Sequence, residues 1–310
     1  MRFARFLKYA HDHRIDIVPK RRYVGILFIL FGWFLLAFST ITKEKISPEI
    51  PNFVVYFYQF LSGFLFYCIF WLFKGNKFVK MQQPKLVLIR GFLGVITYYL
   101  FVFSKIWAKS VDYSILLSTE SLFVPIIMSI ILKIKYKTPV WIGIIIGFIG
   151  VGLLSTFNVK IFSAAGISGI TSGALLAIIV ILTSYIVYND TPSRIAFYQS
   201  LIGVVTSGLI AIFNWKNPTF HDCGIMAYSG LLYALALFLF LDAFYYTEPH
   251  IIAMLGYSLV FFTELLNWIT NGGIPTIGTV YGFICILFGG FVVIYNSYKE
   301  DIKKHFSLNG

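Results

Sequence analysis

Apolar stretches of about 20 residues recur along the chain, each long enough to cross a bilayer as a helix. Breaks bearing charge, proline or glycine separate ten of them, at 23–41, 53–73, 86–107, 111–132, 139–156, 164–188, 193–213, 224–245, 250–269 and 276–296. The joining segments are short and leave no room for a soluble domain. The pattern predicts an all-α membrane protein of ten transmembrane helices.

Two stretches of this chain are nearly the same. FYQFLSG spans Phe57–Gly63 and FYQSLIG spans Phe197–Gly203, 140 positions later. At an offset of 139, Gly91, Gly143 and Gly150 land on Gly230, Gly282 and Gly289, and Leu100-Phe101 lands on Leu239-Phe240. The chain therefore reads as two five-span repeats, 23–157 and 163–298, with an arm at 1–22 and a tail at 299–310. Five is odd, so the second repeat enters the membrane from the opposite face. Inverted repeats of this kind are a signature of secondary transporters.

Composition agrees. Hydrophobic residues make up 58% of the chain and charged residues 12%, against about 25% charged in soluble proteins. With the N-terminus in the cytoplasm, 19 of the 25 Lys and Arg residues fall on the inner side, as the positive-inside rule requires. Both termini are then cytoplasmic and the protein is multi-pass in a bacterial cytoplasmic membrane. The net charge of +12 is read as topology determination and attraction to anionic membrane lipid, not as a nucleic-acid surface. The arm can lie on the membrane as an amphipathic helix, and no cleavage site marks it as a signal peptide. Cys68, Cys223 and Cys285 have no pairing or ligand spacing, so neither a disulfide nor a metal nor any other cofactor is expected.

The segment RGFLGVITYYLFVFSKIWAKSVDYSILLSTESLFVPIIMSIILKIKYKTPVWIGIIIGFIGVGLL, from Arg90 to Leu154, has an Arg and small residues opening the third span, a proline in the fourth and a Gly-rich fifth. In this it resembles the EamA type of the drug/metabolite transporter superfamily; the second half, from Gly230 to Gly290, is similar more loosely. Departures occur after the fourth and ninth spans, where the acidic residue common in the family is replaced by Lys133 and Lys135 and by Gly272 and Gly273. The resemblance implies that spans three, four, eight and nine line a central cavity.

Ionisable groups inside a membrane helix are functional by default. Glu120 and Glu264 are the two acids deep within spans, and each is expected to bind a cationic group of the substrate or to carry a coupling proton. On the ninth span Ala253, Tyr257, Val260, Glu264, Asn267 and Asn271 share a face by their spacing of three and four, which is expected to line the cavity. On the fourth span Ser114, Ser118, Ser121 and Pro125 form a stripe that Glu120 does not share. Tyr98, Tyr99 and Tyr233 could hold a cationic ligand through their rings or serve packing. Gln59 and Gln199 mark equivalent polar positions in the two halves, for substrate or for an interhelical bond. Asp242 and Arg90, near inner ends of spans, are read as a gate, an ion pair or interfacial residues, and Pro125 as a kink that frees a carbonyl or bends its helix. The pairs Gly143/Gly147 and Gly278/Gly282 allow close helix contact within a monomer or across a homodimer.

No Gly-Lys-Ser/Thr phosphate loop is present, so ATP does not drive the protein directly. The expectation is a secondary active transporter, not an enzyme. Its substrate is a small organic metabolite with a cationic or zwitterionic group, S-adenosylmethionine-like in the favoured form, carried by alternating access. A proton-coupled exporter of amino acids or metabolites is the alternative, and an intramembrane enzyme a remote one.

Overall fold

The structure, a computed structural model, describes residues 22–73, 81–107, 119–131, 133–154, 164–272 and 277–308. The arm up to residue 21, Ser114, Ser118 and Gly273 lie outside the described residues. Among the described residues all regular structure is helical: α1 (Arg22–Lys43), α2 (Asn52–Phe73), α3 (Pro84–Trp107), α4 (Glu120–Ile131), α5 (Thr138–Leu154), α6 (Ala164–Ile186), α7 (Pro192–Ala211), α8 (Phe220–Ala243), α9 (Pro249–Leu255), α10 (Ser258–Asn271) and α11 (Ile277–Leu308).

Among the described residues helix falls within each of the ten predicted stretches, and 7 segments are long and apolar enough to cross a membrane. Two differences from the sequence pattern stand out. The ninth stretch is broken into α9 and α10 by a turn at Gly256 and Tyr257, which periodicity alone does not reveal because both pieces are apolar. The helix of the last span continues to Leu308, through the segment read as a tail.

Local chemistry places the ends. Pro192 begins α7 and Pro249 begins α9, where a missing N–H costs nothing. Thr219 and Asp222 form a reciprocal capping box at the start of α8. After α4 the chain turns at Lys133, whose φ of 55 is left-handed.

The helices pair α5 with α11, α1 with α8, α3 with α6, α2 with α7 and with α8, α3 with α7, and α1 with α10, while α4 meets α6 and α9. Exchanging each helix for its counterpart in the other half carries α1–α8 into α3–α6, α2–α8 into α3–α7 and α1–α10 into α4–α6, and returns α2–α7 and α5–α11 to themselves. Gly63 and Gly203, and the repeated glycines of α5 and α11, sit at the self-paired contacts, while Gly91 meets Ile202 of α7 and Gly230 meets Gln59 of α2. Gly203 on α7 receives the ring of Phe60 on α2, and a β-carbon there would lie 2.7 Å from Phe60 Cδ2. A β-carbon on Gly63 of α2 would lie 3.2 Å from Ser200 Oγ of α7. The outer faces remain apolar, with Leu27, Phe31, Leu65, Ile69, Ile145, Phe288 and Phe291 exposed, as a lipid-facing girdle requires.

Candidate functional site

A cavity of about 620 Å³ runs between the halves, within the size range of small-molecule sites. Its wall draws Lys43 from α1, Gln59 from α2, Arg90 and Tyr98 from α3, Glu120 from α4, Thr183 from α6, Gln199 from α7 and Tyr233 from α8.

The repeated Phe-Tyr-Gln stretches explain part of this wall. Each glutamine offers its side-chain oxygen to a cation on another helix. Lys43 Nζ donates to Gln59 Oε1 at 3.0 Å, and an Arg90 guanidinium N–H donates to Gln199 Oε1. Arg90 Nε also donates to Thr183 Oγ1 at 2.6 Å, and Gln199 Nε2 to Tyr233 OH at 3.5 Å. Rings close one side: Tyr56 and Tyr98 meet edge to face with centroids 4.3 Å apart, and Phe60 lies 5.7 Å from both Tyr98 and Tyr233.

Glu120 starts α4, where a carboxylate is favoured by the helix dipole, and it is 3% exposed. Its Oε2 has no hydrogen-bond partner among the described residues. It lies against the break between α9 and α10. Ser121 Oγ donates to Ala253 O at 2.5 Å, and a β-carbon on Gly256 would come within 2.7 Å of Glu120 Oε1. The same β-carbon would lie 2.7 Å from Ala253 O, so glycine here is held by backbone as well as by the carboxylate. A helix interrupted beside a buried carboxylate is one way in which transporters expose backbone and charge to a ligand.

Of the residues singled out from sequence, the fold brings Gln59, Gln199, Tyr98, Tyr233, Arg90 and Glu120 to one cavity. It places the others elsewhere. Tyr257 is fully buried, its hydroxyl donating to Ile144 O on α5 at 3.3 Å. Glu264 and Asn267 are half-buried on α10, whose cavity face is instead Leu259 and Thr263; the break at Gly256 resets the register that the spacing assumed. Tyr99 turns toward Phe53, with centroids 5.5 Å apart. Pro125 is buried within α4, and Asp242 is half-buried near the end of α8. Arg90 pairs with no described carboxylate. Sequence reading passed over Lys43 and Thr183, the first because it sits at a span's end, the second because nothing distinguishes it from other span hydroxyls. Close contact of the glycine-bearing spans is made within the chain, by α5 against α11.

The two ends of the cavity differ. At one end its wall extends into the α1–α2 loop, including exposed Pro48 and Glu49. At the other, charged side chains link the segments. Arg194 and Asp190 pair at 2.5 Å with both side chains buried, and Asp190 accepts from the backbone N–H groups of Gln82 and Gln83 before α3 at 3.2 and 3.1 Å. Arg22 pairs with Glu248 at 2.8 Å. Tyr136, in the segment between α4 and α5, packs at a tilt against His250 with centroids 4.9 Å apart.

A cavity that carries a few polar and charged groups among membrane-length helices is the kind of site that transporters have. Residues 23–156, the stretch of the first five predicted spans, match the EamA-like transporter family. A riboflavin transporter of Vibrio cholerae is 22% identical over 199 residues, which span 64% of this chain and 67% of that protein. A protein known from a crystal structure superposes with a TM-score of 0.75 over 87% of this chain and 95% of its own, at 15% identity. That likeness is one of fold.

Proposed function

We propose that the protein is a secondary transporter moving a small organic metabolite with a cationic or zwitterionic group across the bacterial cytoplasmic membrane by alternating access. In this reading ten crossings form two inverted repeats with both ends in the cytoplasm. The exchange of helix pairs between the halves supports the repeat, as do the matched glycines in α5 and α11. The cavity wall that reaches the α1–α2 loop supports an outward-open arrangement. Passage to the inside then requires Asp190 to release the Gln82 and Gln83 N–H groups and the Arg22–Glu248 pair to part.

The observation that carries the reading is Glu120, a buried carboxylate on the cavity wall with an unpartnered oxygen. It takes either the substrate's cationic group or a coupling proton. Glu120 has this role rather than Glu264, since Glu120 alone of the two lines the cavity. S-adenosylmethionine, with an ammonium and a sulfonium, suits such a site. The name of the Vibrio cholerae relative and the ring-lined wall favour a flavin as the second reading.

The test is uptake of radiolabelled S-adenosylmethionine by a bacterial host unable to import it, with riboflavin, amino acids and nucleosides as unlabelled competitors. Saturable uptake that Glu120→Gln abolishes at equal membrane abundance is expected. Labelled riboflavin taken up in its place would transfer the reading to the flavin, and uptake of neither would sink both.

A further inference from the structure

The cavity holds two opposite charges that do not meet. Arg90 is 5% exposed, and the bonds it makes among the described residues run to neutral oxygens, Thr183 Oγ1 and Gln199 Oε1. Glu120, on the same wall, makes no ion pair with it or with any other described cation. A buried cation without a carboxylate is costly, and in a membrane span the cost is raised by the lack of water. Two acceptors on two different helices, α6 and α7, nevertheless hold the guanidinium in place. A planar guanidinium gripped at its Nε and at one terminal nitrogen keeps donors for a planar anion.

From this juxtaposition we infer that Arg90 is the site of a substrate carboxylate, and that the transported compound is a zwitterion spanning Arg90 and Glu120. The inference rests on the transporter reading above and narrows it, because compounds with a cationic group alone, such as amines and polyamines, are excluded. Thr183 and Gln199 are positioning residues that aim the guanidinium.

The experiment is ligand retention by the purified full chain in nanodiscs, read by mass spectrometry. The probes are the amino acids and S-adenosylmethionine, each matched with its decarboxylated amine. Retained compounds should all carry the carboxylate. Their binding should weaken by roughly 30-fold or more in Arg90→Gln and recover in part in Arg90→Lys, with thermal stability reported for each variant. Should Arg90→Gln fail to fold, Thr183→Val serves, with binding weakened several-fold and acid-over-amine selectivity reduced. Equal retention of an acid and its amine, or binding indifferent to these substitutions, overturns the carboxylate assignment while leaving the transporter reading in place. Retention of no probe by the unaltered chain overturns the zwitterion assignment, and riboflavin uptake then decides the transporter reading.

Discussion

A β-carbon on Gly143 would lie 2.8 Å from the carbonyl oxygen of Gly289, and one on Gly150 would lie 2.7 Å from the carbonyl oxygen of Gly282. The two contacts are the same contact seen from each half, since Gly143 corresponds to Gly282 and Gly150 to Gly289. They hold α5 and α11 in antiparallel, backbone-to-backbone approach. Gly143→Val or Gly150→Val should destabilise the fold by about 1–3 kcal/mol through overpacking. Gly224, with open space around it, should accept alanine without loss. Thermal inactivation followed by size-exclusion chromatography in detergent separates the two cases.

Asp190 answers Arg194 and the two backbone donors before α3 at once. Asp190→Ala therefore leaves Arg194 buried and uncompensated, at a cost of about 3–5 kcal/mol. Replacing both, Asp190→Leu with Arg194→Met, should cost less than the single change. A double-mutant cycle on thermal stability checks this, and additive losses would show that the pair is not coupled.

Gly256→Ala is expected to leave the protein in the membrane and to abolish transport, because its β-carbon takes the space of Glu120 Oε1. Normal uptake by this variant at equal abundance would show that the carboxylate can move without consequence.

Topology is open to labelling. In a chain with Cys68, Cys223 and Cys285 replaced by serine, Glu49→Cys should react with a membrane-impermeant maleimide added outside intact cells. Thr191→Cys, exposed before α7, should react only after lysis. The reverse pattern would invert the orientation.

Membrane-spanning character and helix positions are legible in the sequence because they depend on a quantity that a linear chain carries, the length of its apolar runs. Part of the site is legible for the same reason, since Gln59, Gln199, Glu120 and Arg90 are polar groups where apolar ones are expected. Which of them face one another is a matter of tertiary structure. The face of span nine was read as one continuous helix, and the turn at Gly256 sends Tyr257 to α5 and leaves Glu264 off the cavity. Arg90 reads as a gate or an interfacial charge until α6 and α7 bring Thr183 and Gln199 against it. A helix break and a contact between distant helices are set by packing, and packing has no period along the chain.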